Sequence, residues 1–203
     1  MKEIHEYEKD IASIRSMMER SEKFISLSGM SGILSGLYAL AGVAAAYWIL
    51  DNVNPVRGLN EGFGVMVQFL TIAAVVLIAS ISTGLFLSAR KAKKTGSSLW
   101  NSTTRQMVMH LAVPLVTGGL LILILLYNGY WELVSPISLL FYGLALFNAS
   151  ANTFGEVRYL GFSEIILGLV SALLPGYDLI FWGIGFGVLH VLYGAILYNK
   201  YDR

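Results

Sequence analysis

Residues 106–127 read QMVMHLAVPLVTGGLLILILLY, with no Asp, Glu, Lys or Arg among them. A helix of that length spans the roughly 30 Å hydrocarbon core of a bilayer, and a soluble domain has no use for so long a run of exposed apolar helix. Moving outward along the chain, five more stretches have the same character: residues 24–50, 63–88, 133–150, 159–174 and 179–198. Of all 203 residues, 56% are hydrophobic and only 13% charged. That charged share is about half the usual one, so little polar surface is left for a water-soluble coat. The reading is an all-α polytopic membrane bundle of six transmembrane helices in three hairpins. A cytoplasmic amphipathic helix (residues 1–23) precedes this membrane domain (residues 24–203).

The breaks between the runs carry turn chemistry. Asp51 to Pro55 and Gly58 to Gly62 form a polar loop, while Asn128-Gly129 and Pro175-Gly176 are turn dipeptides. The basic residues then orient the chain. If the N-terminus is inside, Arg57 is the one basic residue of 14 that falls outside. Lys2 to Lys23, Arg90 to Lys94, Arg105, Arg158, Lys200 and Arg203 all lie on the cytoplasmic side. Loop charge governs insertion, so both termini are expected in the cytoplasm, in an inner membrane. Trp48, Tyr130, Trp131 and Tyr177 near one boundary, and Trp100 and Tyr198 near the other, form the aromatic belts. The charged segment before residue 24 and the length of the first apolar run do not fit a secretory signal peptide.

Within residues 1–25, Ile4, Tyr7, Ile11, Ile14, Met18 and Ile25 follow alternating steps of three and four, the spacing of a helical seam. Six acids against five bases on this helix suit a protein contact better than an anionic lipid surface. The expected partners are the bilayer for the bundle, and a second protomer, another protein or the chain's own loops for this helix. The cluster Arg90-Lys91-Ala92-Lys93-Lys94 is read as the positive-inside signal, so no nucleic acid is expected.

Several function classes lack the residues they need. Without cysteine there is no disulfide, thiolate metal site or thiol nucleophile. Neither a Gly-x-Ser-x-Gly elbow, a phosphate loop, a haem attachment sequence nor a zincin motif occurs, so neither enzyme activity nor a cofactor is expected. Small residues at four-residue spacing, Ser28, Gly32 and Gly36 in the first run and Gly183 and Gly187 in the last, predict close helix packing. Residues 29–37 (GMSGILSGL) also align without gaps to 161–169 (GFSEIILGL), and Gly84 and Gly194 end the second and sixth runs alike. This suggests duplicated hairpins in parallel repeat.

Ionisable groups within the runs are costly in lipid and turn toward the protein interior. His110, Glu164 and His190 lie at a common depth, roughly 8–14 Å inside the cytoplasmic boundary at 1.5 Å per residue. Ser31 and Ser163 lie at a similar level. Pro114 cannot bond the carbonyl of His110, so a kink is expected there. The layer is either a structurally paired polar cluster or a proton or small-ion site. A metal held by the two histidines and the glutamate lacks support from spacing, because no two ligands share one helix at i, i+3 or i+4.

Residues 160–197 resemble the hairpin unit of the HdeD-type family of small six-helix bacterial inner-membrane proteins. The likeness rests on Gly161, Gly168, Pro175, Gly183, Gly187 and Gly194: a glycine-spaced helix, a proline-containing turn, then a second glycine-spaced helix. The resemblance implies a six-helix bundle of three hairpins and a link to acid or envelope stress, and it brings no catalytic residues. The first hairpin departs from that pattern, with a long polar loop in place of the proline turn. Two functions follow from the sequence: a non-catalytic accessory or sensing protein of the envelope, or a small channel or transporter with the His/Glu layer on its path.

Overall fold

The computed structural model describes residues 27–52, 59–95 and 100–203, and all the elements in them are helical. Helix α1 runs Gly29–Asn52, α2 Leu59–Thr95 and α3 Ser102–Tyr127. A 3-10 turn, Trp131–Leu133, leads into α4, Val134–Ala149, and α5 covers Gly155–Leu173. The last helix, α6, runs Asp178–Asp202 and widens to π geometry over Gly183–Leu189 and Tyr198–Asp202. The amphipathic helix expected at residues 1–23, with Ile4, Tyr7, Ile11, Ile14 and Met18, lies outside the described residues.

Five of the helical segments are long and apolar enough to cross a membrane: Gly29–Asn52, Gly64–Lys94, Ser102–Tyr127, Trp131–Asn152 and Asp178–Asp202. Helix α5 stands apart from these. Its 19 residues are long enough, but it carries Glu156, Arg158 and Glu164, so its composition alone does not mark it. Helix ends differ from the apolar boundaries for local reasons. The run expected to stop at residue 88 continues as helix to Thr95, because Arg and Lys are good helix formers that lengthen a span beyond its apolar part. Helix α3 begins at Ser102 rather than 106 because the Asn101 side chain accepts from the Thr104 amide at 2.7 Å, a standard N-cap. Both turn dipeptides reverse the chain through glycine: Gly129 has φ +82° and Gly176 φ +92°, conformations in which a Cβ is strained.

Helix α1 packs against α2 on one side and α6 on the other; α4 packs against α3 and α5; α6 joins the two groups. Helices α2 and α3 therefore flank the bundle, and their apolar side chains point outward. Val75, Ile78, Val116 and Ile124 are each about 60% exposed, as suits a face in contact with lipid tails. At one end a single carboxylate ties three helices together. Asp202 accepts from the Gly29 amide at 2.8 Å, from Ser28 Oγ at 3.1 Å and from Lys91 Nζ at 2.6 Å. It thus satisfies an otherwise orphaned donor at the positive end of α1.

Two seams at the centre of the bundle are built alike. A Cβ on Gly36 would lie 2.6 Å from the Gly187 carbonyl oxygen and 2.8 Å from the Val191 nitrogen; on Gly168 it would lie 2.9 Å from the Pro136 oxygen and 2.9 Å from the Leu140 nitrogen. Gly29 meets the Gly194 oxygen and Tyr198 nitrogen as Gly161 meets the Gly143 oxygen and Phe147 nitrogen. Adding 132 to Gly29 and Gly36 gives Gly161 and Gly168; adding 51 to Pro136, Leu140, Gly143 and Phe147 gives Gly187, Val191, Gly194 and Tyr198. The α1–α6 seam and the α5–α4 seam therefore share one register, down to the atoms in contact. The echo between residues 29–37 and 161–169 falls on this equivalence. The proposed match of the second run to the sixth does not, because Gly84 has open space around it while Gly194 is wedged against α1. In packing, the counterpart of α6 is α4.

Candidate functional site: a buried polar cluster of three helices

Glu164 points inward from the buried face of α5, which also carries Val157, Leu160, Gly161, Gly168 and Ser171. Its spacing on the helix dictates this: residues three and four apart share a face. The side chain is fully buried. His190 of α6 stands beside it, with Nδ1 at 3.6 Å from Oε1. The imidazole is held by two other groups, Nδ1 lying 3.0 Å from the Gly185 carbonyl and Nε2 2.7 Å from the Tyr142 hydroxyl of α4. A carbonyl only accepts, so Nδ1 carries the hydrogen. In the neutral ring Nε2 then accepts from Tyr142. In the imidazolium both nitrogens donate, and Tyr142 must turn its own hydrogen elsewhere.

The wall of the cluster is aromatic. Tyr142, Phe186 and His190 pack together with ring centroids 5.0 to 6.1 Å apart, and Trp182 continues the row at 4.9 Å from Phe186. The backbone of α6 comes close because residue 185 is glycine: a Cβ there would lie 2.5 Å from Glu164 Oε2. This approach occurs within the π-helical stretch Gly183–Leu189, a geometry that recurs at functional sites. Neither carboxyl oxygen of Glu164 has a hydrogen-bond partner among the described residues, although buried polar atoms are nearly always paired. Carboxylic acid with neutral imidazole, and carboxylate with imidazolium, are the two states that leave no net charge in the pair. They differ by one proton, carried by Glu164 in the first state and by Nε2 in the second, because Nδ1 holds its hydrogen in both.

No family model matches this chain, and no curated protein or solved structure matches it.

Of the residues singled out in the sequence, Glu164 and His190 lie together and His110 lies apart from them. His110 is exposed on α3, a helix that meets α4 through Gly118 against Phe141. Equal depth did not bring it inward, because α3 is an outer helix. Pro114 sits inside an α3 that runs unbroken from Ser102 to Tyr127. Ser31 is buried but returns its hydroxyl hydrogen to the Ser28 carbonyl at 2.6 Å, and half-exposed Ser163 does the same to the Tyr159 carbonyl at 2.9 Å. Neither bonds to the Glu164–His190 pair. Gly32 and Gly36 face α6, Gly187 faces Leu40, and Gly183 faces Val43. No group of three or more metal-ligating side chains occurs among the described residues.

Tyr142 is the member of the cluster that sequence reasoning missed. The available signal was its place in the middle of an apolar run, whereas membrane tyrosines favour the ends. The seam equivalence adds that the chemistry is one-sided. Glu164 corresponds to Gly32 and His190 to Leu139, so neither ionisable residue has an ionisable counterpart in the equivalent position.

Proposed function

We propose that this chain is a non-catalytic six-span inner-membrane protein, with both termini cytoplasmic, in which the Glu164–His190–Tyr142 cluster responds to protonation. It would serve as a sensing or accessory protein under acid or envelope stress, in keeping with the HdeD-type resemblance of residues 160–197. The observation that carries this reading is Glu164 itself: fully buried, without a hydrogen-bond donor among the described residues, and 3.6 Å from a histidine. Ionisable residues at such depth are expensive, by at least about 2.5 kcal/mol on insertion scales. A bundle that needed only packing would be better served by an apolar residue there. A proton arriving at or leaving the pair changes its net charge, and one that arrives at or leaves Nε2 of His190 also reverses the Tyr142 hydrogen bond, which couples protonation to the contact between α4 and α6.

A small channel or transporter for protons or ions is the second reading. The close approach of Gly185 to Glu164 Oε2 favours sensing, because an ion passing that carboxylate needs room for its ligands. The test is the purified protein in lipid nanodiscs, followed by thermal unfolding and tryptophan fluorescence between about pH 4 and 9. Wild type should change with pH and Glu164→Gln should not, while both remain folded. A flat wild-type profile, or the same profile in the variant, removes the sensing role. Steady proton flux in proteoliposomes that depends on Glu164 decides for transport instead.

A further inference from the structure

Between Gln106 and Leu126, helix α3 carries three polar side chains: Gln106, His110 and Thr117. With Val113 and Leu120 they follow alternating steps of four and three, so all five lie along one seam of the helix. Every one of them is exposed: Val113 by 61%, Leu120 by 57%, and Gln106, His110 and Thr117 likewise. The face of α3 that is buried is a different one, marked by Thr103, Thr104 and Gly118. The polar groups of α3 are thus turned away from the bundle, although an ionisable residue within a span almost always faces protein or a water-filled cavity. His110 lies five residues past Arg105, roughly 8 Å, and Thr117 about 10 Å further along. Histidine lacks the long stem with which Lys and Arg reach the headgroups.

The chain itself leaves most of their hydrogen-bonding capacity unused. Gln106 Oε1 accepts from Asn152 at 3.1 Å, and the amide hydrogens of Gln106 have no acceptor among the described residues. Neither His110 nor Thr117 has a hydrogen-bond partner among them. A neutral imidazole, a primary amide and a hydroxyl each donate and accept. A row of such groups is complementary to its own copy, where a row of like charges would repel it. Two copies inserted in the same direction are related by a twofold axis along the membrane normal, so each residue near the axis meets its twin at equal depth. Alternating four and three is also the spacing of the left-handed packing, with crossing angles near 20°, that most membrane helices adopt. Polar side chains on such a seam fix its register and the number of helices it joins. We propose that the exposed seam of α3, formed by Gln106, His110, Val113, Thr117 and Leu120, is the interface through which two copies of this chain pair as a parallel homodimer. His110 then bonds to His110 of the partner subunit within the bilayer, out of contact with lipid tails.

The interface stands on the placement of α3 and does not depend on the Glu164–His190 pair. The chain has no cysteine, so one introduced thiol reports on its own position alone. When membranes holding the full-length protein are oxidised, Val113→Cys and Leu120→Cys are each expected to give a disulfide-linked dimer. Leu123→Cys, 60% exposed on another face of α3, is expected to give none. His110→Leu combined with Thr117→Val should weaken pairing in proteoliposomes roughly tenfold, read as the protein-to-lipid ratio at which single-molecule counting finds half the copies paired. Cross-links as strong at Leu123 as on the seam overturn the homodimer, as do none at the two seam positions, or cross-links to a different protein only. A folded double variant that pairs as tightly as wild type overturns it too. The three cysteine substitutions alter only exposed side chains, so cross-linking decides the matter even if the double variant does not fold.

Discussion

At position 185 a Cβ would lie 2.5 Å from Glu164 Oε2 and 2.5 Å from Leu139 Cδ2. Gly185→Ala should therefore destabilise the protein by about 1–3 kcal/mol, the usual range for overpacking, read as a lower unfolding midpoint in detergent. Glu164→Ala combined with Gly185→Ala should recover part of that loss, because neighbouring substitutions that share one space do not add. If the double variant is as unstable as the two losses summed, Glu164 is not what Gly185 makes room for. Tyr142→Phe removes one bond to His190 and should cost about 0.6 kcal/mol, at most roughly 1.7, the range for hydrogen bonds between membrane helices. At this scale the sequence was half legible. Depth along a helix follows from counting residues, so Glu164 and His190 could be placed in one layer. Which neighbour each faces depends on how helices are arranged around the bundle axis, and on that point His110 and Tyr142 exchanged places.

Among elements, the two central seams make a paired prediction. Gly36 and Gly168 sit in equivalent positions against backbone of α6 and α4. Leucine at either should separate the helices and lower the unfolding midpoint by a similar amount. Gly84 and Gly119, on the flanking helices α2 and α3, have nothing within reach of an added Cβ. Alanine at those two sites should be neutral, or stabilising by up to about 1 kcal/mol through helix propensity. Equal damage at all four positions would contradict the seam assignment. The four-residue spacing of Ser28, Gly32 and Gly36 announced a packing face from sequence alone. Its partner, and the shared register with α4 and α5, came only from the fold.

For the whole molecule, the charge distribution makes the most direct prediction. Reporter fusions after Asn54 and Asn128 should read as external, and fusions after Thr95, Asn152 and Arg203 as cytoplasmic. A cytoplasmic signal at Asn54 ends the six-span arrangement. Helix α5 matters most to that count, because its three charged residues leave it the least marked of the six by composition. Its neighbours offset that: Glu156 is bonded by Lys200 at 2.6 Å and by Tyr201, and Glu164 is enclosed against α6.

The sequence by itself determined that the chain is helical and carries segments fit to cross a bilayer. Hydrophobic run length and turn chemistry are local properties, and a bilayer leaves a backbone no option but internal hydrogen bonding. It also located the glycine face of α1 and the echo with α5, since both are written in spacing. Tertiary structure alone decided that α6 lies between the two helix groups, that α3 carries His110 away from the pair, and that Tyr142 and Gly185 complete the cluster. The physical reason is that lateral packing of helices in lipid is settled by the fit of their surfaces rather than by hydrophobicity. Fit is a property of two helices at once, and no single run of residues contains it.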